Sequence, residues 1–233
     1  MKYDLILIDI SNLTYQMYYG LGYYKGNEDL ESMVKNTINL IENKIEKLQK
    51  QGEVYLIFDT VDDKNKRLEI YSEYKAGRDK RPETVDKVLD ILANSNYNKT
   101  RKMGFEADDV IAKIVIEYKD KEILIVSSDK DLEALLRPNV KIEQKGYLIT
   151  EKDIKDELQT NRNLMEVIQI RKALMGDSSD NIKGVSGIGK VKSLKMINDI
   201  PENKNLYEGI IEKLNDKQKE EFIFAYELIK FQI

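Results

Sequence analysis

The sequence predicts an α/β protein, a mostly parallel twisted sheet with helices on both faces, followed by an all-helical C-terminal part. Three observations predict it. Short apolar runs alternate with segments of helical periodicity through residues 1–150. The runs are nearly continuous, as in strands buried on both faces. From about Glu151 onward only helical patterns remain.

The first strand is read over Tyr3 to Ile10, closed by Asp9, Ser11 and Asn12. A helix over about Leu30 to Gln51 carries Met33, Ile38, Ile41, Ile45 and Leu48 at helical spacing. Glu53 to Phe58 forms the second strand and runs into Asp59. Ala107 to Tyr118 is helical, with Val110, Ile111, Ile114 and Val115 on one face, and the strand Glu122 to Val126 leads to Ser127, Ser128 and Asp129. Five helices follow, over Glu151–Leu158, Leu164–Met175, Lys190–Ile197, Leu206–Leu214 and Lys217–Phe231, broken by a glycine-rich turn at 184–189 and by Pro201. The expected division is an α/β body over 1–150 and a helical region over 151–233, as two domains or one continuous unit.

Composition narrows the chemistry. The 233 residues hold 38 Lys and Arg against 42 Asp and Glu, a net charge of -4, so nucleic-acid binding must come from local charge. There is no His, Cys or Trp. That excludes a Ser-His-Asp triad, a cysteine nucleophile, His or Cys metal sites and any disulfide. Catalysis is left to carboxylates, Lys, Arg, Tyr, Ser or a hard metal held by oxygen. No stretch approaches the roughly 20 apolar residues of a membrane span. The start lacks the look of a signal peptide, so a cytoplasmic protein without a membrane partner is expected.

The acidic residues are arranged. Asp9, Asp59 and Asp129 each close a predicted strand, and strand carboxyl ends border the crevice where open parallel sheets bind ligands. Glu106, Asp108 and Asp109 open a helix after Gly104; Asp129 and Asp131 are two apart; Asp177 and Asp180 are three apart, before the glycine-rich turn. Each group also has a plain reading as a turn or a helix cap. Together they offer up to nine carboxylates. Gathering them unneutralised is costly, and hard divalent ions such as Mg²⁺ or Mn²⁺ relieve it. Two such ions roughly 3.5–4 Å apart clamp a phosphodiester, activate water and stabilise the leaving oxygen without a histidine. The chemistry suggested is metal-assisted phosphodiester hydrolysis.

The ordered motifs resemble the 5′-nuclease or flap-endonuclease family, known as the 5′→3′ exonuclease domain of bacterial DNA polymerase I and as free-standing phage enzymes. They are Leu7-Ile8-Asp9 with Asn12-Leu13; Phe58-Asp59; Arg67, Tyr71 and Tyr74-Lys75-Ala76-Gly77-Arg78; Gly104-Phe105-Glu106-Ala107-Asp108-Asp109; Ser128-Asp129-Lys130-Asp131-Leu132; and Gly176-Asp177-Ser178-Ser179-Asp180-Asn181-Ile182 leading to Gly184-Val185 and Gly187-Ile188-Gly189-Lys190. The resemblance implies a PIN-like nuclease core, a basic helical arch at about 70–103 and a helix–three-turn–helix hairpin at about 176–195. It implies that Asp9, Asp59, Glu106, Asp108 and Asp129 form or support the first of two Mg²⁺ or Mn²⁺ sites. Asp131, Asp177 and Asp180, near Asp129, would hold the second, with Asp109 a matching neighbour.

From Lys64 to Arg81 the chain holds Lys64, Lys66, Arg67, Lys75, Arg78, Lys80 and Arg81 against Glu69, Glu73 and Asp79, or 7 - 3 = +4. Such a charge offsets phosphate repulsion and suits DNA. By resemblance Lys75 and Arg78 lie at the base of the arch, Lys75 stabilises charge on the transferring phosphate, and Tyr74 stacks on the terminal base. A solvated charged helix with Tyr74 anchored in the core, and with Arg67 and Lys80 as ordinary surface charges, is the plainer reading. At the hairpin, Gly184, Gly187 and Gly189 let the backbone approach a duplex, and Lys183, Lys190 and Lys192 add charge. By the same resemblance, carbonyls of Val185 and Ile188 would hold a K⁺ bridging to DNA.

Four positions depart from the family pattern. Ile10 stands where glycine is usual, Gln16 where arginine is common, and Lys183 and Ser186 where prolines usually stiffen the hairpin. A less rigid hairpin and a weaker phosphate grip are therefore expected. The expected activity is a structure-specific 5′ nuclease, exonuclease or flap endonuclease, leaving 5′-phosphates. Its substrate would be DNA with a 5′ flap, nick or free 5′ end, with an RNA primer strand a further candidate, and its state a monomer. The alternatives are a non-catalytic DNA-structure-binding protein on the same fold and a PIN-like ribonuclease.

Overall fold

The structure is a computed structural model and describes residues 2–22, 29–60 and 65–233. Its elements are β1 (Leu5–Asp9), α1 (Ile10–Gly20), α2 (Leu30–Gln49), β2 (Glu53–Phe58), α3 (Lys66–Ile70), α4 (Glu83–Ala93), β3 (Lys99–Arg101), α5 (Ala107–Glu117), β4 (Ile123–Val126), β5 (Val140–Gln144), β6 (Tyr147–Ile149), α6 (Glu151–Leu158), α7 (Leu164–Met175), β7 (Gly176–Asp177), β8 (Ile182–Lys183), α8 (Lys190–Asn198), α9 (Leu206–Lys213) and α10 (Asp216–Ile229). A short 3₁₀ helix, Lys130–Leu135, follows β4.

The main sheet has the order β3-β2-β1-β4-β5-β6. β1 pairs in parallel with both β2 and β4, matching Asp9 to Ile57 and Ile8 to Val126. β3 and β5 extend the parallel sheet, and β6 closes one edge antiparallel to β5. The chain winds outward from β1 to β3, then returns to the other side of β1 as β4. That places a topological switch point at the carboxyl ends of β1 and β4, where an open α/β sheet has its crevice.

Both faces are covered. Ile6, Ile8, Leu56, Phe58, Leu124 and Val126 point into a cluster with α1, α2 and α4. Leu7, Ile57, Ile123 and Ile125 point into a second cluster with α5 and the C-terminal helices. This strict alternation explains the continuous apolar runs, since neither face is free to be polar. The helical region shares one apolar cluster with the sheet, from Leu7 to Phe231, so it does not stand apart from the body.

Two expectations about the fold change. The segment 70–103 is not one free arch: α4 buries Val85, Val88, Leu89 and Leu92 against α1 and α2, and Lys99–Arg101 is an edge strand of the sheet. Only the turns between Tyr71 and Pro82 lie over the crevice. Several elements went unread, α3, the 3₁₀ helix, β7 and β8 as well as α1, β3, β5 and β6. α1 holds Ile10, Ser11, Leu13 and Thr14 buried but mixes polar and tyrosyl residues too evenly for a clear stripe. β3, β5 and β6 are short or carry polar residues. Among the described residues no helix is long and apolar enough to cross a membrane.

Candidate active site

The crevice at the strand ends is a cavity of about 430 Å³ lined by Asp9, Asp59, Glu106, Asp108, Asp129, Asp131, Asp177 and Asp180, together with Asn12, Tyr74, Lys75, Arg78, Arg81 and Lys172. Eight of the nine predicted carboxylates thus meet in one place, drawn from chain segments about 170 positions apart.

Local structure fixes each acid. Asp9 ends β1 and caps α1, accepting from the Asn12 amide at 3.0 Å and from Ser127 Oγ at 3.1 Å. Asp59, just after β2, accepts from the Ala107 amide at 2.9 Å and so caps α5 from across the crevice. Asp129 follows β4 and accepts from the Asp131 amide at 2.9 Å. The plain reading of these residues as caps is therefore correct as far as it goes; the caps are also what aims them at one another. Asn12, in sequence only a neighbour within the first motif, accepts from the Ser128 amide at 2.8 Å and ties the β1 and β4 ends together.

Charge is distributed unevenly over the cavity. Asp9, Asp59, Asp108 and Asp129 have no ion pair among the described residues, whereas the remaining acids all have one. Lys75 Nζ contacts Glu106 Oε1, and Arg67 NH1 lies 3.4 Å from Glu106 Oε2. Arg78 NH2 lies 2.5 Å from Asp180 Oδ1. Lys172 contacts Asp131 and lies 2.6 Å from Asp177 Oδ2. Burial pushes Asp9 up to about 7, helped by Asp59 and Asp129. Burial likewise raises Asp108 well above its ordinary value, with Asp109 and Glu106 adding repulsion. Burial works on Glu106 too, but Lys75 and Arg67 outweigh it and hold that carboxyl below its usual value.

An all-oxygen donor set whose innermost members lack counter-charge fits a hard divalent cation. Among the described residues, however, no three acids stand close enough to hold a metal ion as they lie. The paired acids lean toward protein cations, and the unpaired ones are held on amides and hydroxyls.

Three predicted roles need correction, and a fourth residue, Gly184, has a packing reason of its own. Asp109 does not face the cavity; it is 1% exposed and bonded to Arg67 and the Gln232 amide. Arg67 is 2% exposed, with NH1 and NH2 on Asp109, Nε on the Leu228 carbonyl at 2.8 Å and a bond to the Lys230 carbonyl, so it cannot lie on a DNA surface. Tyr74 is 5% exposed, its hydroxyl 3.0 Å from both Glu106 Oε2 and Asp180 Oδ2; buried there, it has no face for a base. Gly184 packs its Cα against the Met175–Gly176 backbone, where a Cβ would fall 2.2 Å from Met175 C, so glycine is required there by chain crossing.

The other basic residues predicted to meet DNA, Lys75 apart, stay on the surface. Arg78, Lys80 and Arg81 are exposed, and Arg81 lies 3.5 Å from Asp86 Oδ1. Lys64 lies outside the described residues. At the hairpin Lys183, Gly187, Gly189, Lys190 and Lys192 are exposed, while Val185 and Ile188 bury their side chains in the core. Gly187 has φ +77, which favours glycine. The hairpin is not loose at Ser186: its amide and hydroxyl both donate to Glu221 at 2.7 Å, and Gln218 Nε2 donates to its carbonyl at 3.0 Å. Ile10 is fully buried at the start of α1, and Gln16 donates to Asn12 Oδ1. Asn65, whose amide donates to Glu106 at 2.8 Å, and Lys172 were missed. Neither stands out in a sequence dense in Asn and Lys.

The family described as 5′-3′ exonuclease, N-terminal resolvase-like domain, matches residues 4–164. The chain is 31% identical over 218 residues to a 5′-3′ exonuclease of Buchnera aphidicola subsp. Schizaphis graminum, covering 90% of this chain and 75% of that protein. It is 32% identical over 212 residues to a 5′-3′ exonuclease of Mycoplasmopsis pulmonis, covering 88% and 69%. Its fold is similar to that of the bacteriophage T5 flap endonuclease solved as a pseudo-enzyme-product complex with DNA and metal ions, with TM-score 0.68, 21% identity, and coverage of 98% of this chain and 89% of that one. The catalytic core of Rad2 in complex with DNA substrate shares the fold at TM-score 0.57 and 15% identity, covering 99% and 80%.

Proposed function

Because the chain belongs to the 5′-3′ exonuclease family, we propose that the crevice is the active site of a structure-specific 5′ nuclease. The protein is a DNA nuclease that uses divalent metal ions. The finer reading is hydrolysis of a phosphodiester near the junction of single and double strands, leaving a 5′-phosphate, on a 5′ flap, nick or free 5′ end, with RNA primer strands as a further substrate. The observation that carries it is the group Asp9, Asp59, Asp108 and Asp129, which share the cavity and, among the described residues, form no ion pair.

Those four, with Glu106, would hold a first Mg²⁺ or Mn²⁺, and Asp131, Asp177 and Asp180 a second. Bound there, the ions supply Lewis-acid stabilisation of the phosphate and activation of water. The chain's own residues do the rest. Asn12 and Ser127 hold the β1 and β4 acids in register. Lys75, whose backbone sits at φ 58 with its amide on the Asp180 carbonyl at 2.9 Å, directs a cation into the cavity beside Glu106. An ammonium there stabilises negative charge developing on a phosphoryl group. Arg78 and Arg81 at the rim, and Lys80 nearby, attract the strand backbone.

The exposed hairpin turn with Lys183, Lys190 and Lys192 would grip duplex without reading sequence. K⁺ on the Val185 and Ile188 carbonyls would extend that grip. The working form would be a monomer in the cytoplasm. Incubating 5′-end-labelled flap, nicked and blunt duplexes with Mg²⁺ or with chelator, then sizing the products, tests this reading. Metal-dependent cleavage near the junction supports it; tight flap binding without cleavage under Mn²⁺ supports a non-catalytic binder instead.

A further inference from the structure

Lys172 lies on α7, five residues before Asp177, and its ammonium bridges two acids from different elements. It contacts Asp131 Oδ2, beyond β4, and lies 2.6 Å from Asp177 Oδ2, in β7. Its side chain is 19% exposed and lines the cavity. The two carboxylates hold Lys172 protonated against its own burial.

We infer that Lys172 is a built-in counter-cation that occupies the second ion's position in the metal-free protein and must be displaced for that ion to bind. The inference rests on the two-ion reading of the site. One fact beyond the ion pair points the same way. Among the described residues the acids divide sharply into an unpaired set, Asp9, Asp59, Asp108 and Asp129, and a set paired with Lys or Arg, which includes Asp131, Asp177 and Asp180.

The two positions therefore differ in what a divalent ion must overcome. At Asp9, Asp59, Asp108 and Asp129 an ion relieves repulsion between like charges and breaks no ion pair of theirs, although Glu106 beside them is paired with Lys75 and Arg67. At Asp131 and Asp177 it relieves less, because the ammonium already neutralises one charge, and it must break two ion pairs in a partly buried setting. Binding is then stepwise, with a weak second step set by Lys172. Without the lysine, Asp131 and Asp177 are left with uncompensated charge, which favours the ion.

The test is titration of the whole protein with Mn²⁺ alone, without DNA, by calorimetry and by the paramagnetic signal of free Mn²⁺. Wild type should show two steps, the second at least tenfold weaker. Lys172→Met, which keeps length and removes charge, should tighten the second step tenfold or more and change the first by less than about threefold. Lys172→Arg, which keeps charge, should leave the second step weak; this variant also covers the case in which Lys172→Met folds poorly without metal. An unchanged or weakened second step in Lys172→Met overturns the inference, as does equal tightening in both variants. A single ion in all three proteins overturns it together with the two-ion reading. Two equal, tight steps in wild type overturn it and leave that reading intact.

Discussion

Arg67 and Asp109 form a buried two-point pair, NH1 to Oδ2 at 2.7 Å and NH2 to Oδ1 at 2.9 Å. Each was assigned outward from its motif, one to DNA and the other to metal, yet they satisfy one another. Arg67 Nε also donates to the Leu228 carbonyl, and the Gln232 amide donates to Asp109, so the pair fastens the end of α10 beneath the helix that carries Glu106 and Asp108. A planar guanidinium meets these demands at once; an ammonium cannot.

Removing one member leaves a buried charge unpaired. Arg67→Ala or Asp109→Asn should therefore cost about 3–5 kcal/mol in urea unfolding. Arg67→Lys should recover little of it. A normal unfolding curve with a selective loss of DNA affinity would instead place Arg67 on the nucleic acid.

The Tyr74 hydroxyl, shared between Glu106 and Asp180, should matter more than its ring does for DNA. Tyr74→Phe should lower stability by about 1.5–3 kcal/mol, the scale of a bond to a charged group, with flap affinity measured in chelator changed less than about twofold. An unaltered stability together with strong loss of affinity in Tyr74→Ala would point to base stacking.

Asp9 has a folded-state pKa raised from 3.8 to about 7 by burial and by Asp59 and Asp129. A raised carboxyl pKa means the folded state holds its proton more firmly than the unfolded chain does. Its stabilising effect is complete below about pH 4 and is lost as pH rises through about 7. In chelator the melting temperature should drift down across that window, and saturating Mn²⁺ should flatten or reverse the drift. Parallel curves with and without Mn²⁺ would contradict a shared ion position at Asp9.

Glu221 holds the hairpin by accepting from both the amide and the hydroxyl of Ser186. It supplies the restraint that prolines were expected to supply. Glu221→Ala should weaken duplex binding several-fold while leaving the Mn²⁺ titration unchanged, as fluorescence anisotropy and calorimetry would show. Unchanged duplex affinity would mean that the hairpin is rigid without it.

The site was largely legible in the sequence because its acids follow β1, β2 and β4, whose apolar runs are unambiguous when both faces of a sheet are covered. Residues that depend on partners distant in sequence were not. Arg67 looks like any member of a basic run until the α10 carbonyls close on it, and Lys172 looks like any surface lysine of a helix. The arch was overdrawn for a related reason: α4 has a clear apolar face, but its partners α1 and α2 lie about 40–70 residues earlier. The convergence of carboxylates is a property of the fold.

The central claim is that Asp9 and Asp129 act through a divalent ion on a phosphodiester held in the crevice. It is tested most directly by comparing wild type, Asp9→Asn and Asp129→Asn on one 5′-end-labelled flap, measuring binding in chelator and cleavage in Mg²⁺. Both variants should bind the flap at least as tightly as wild type, since a repelling charge has gone, and cleave it at least a hundredfold more slowly. Cleavage at the wild-type rate by either variant, or by wild type in chelator, would contradict the account.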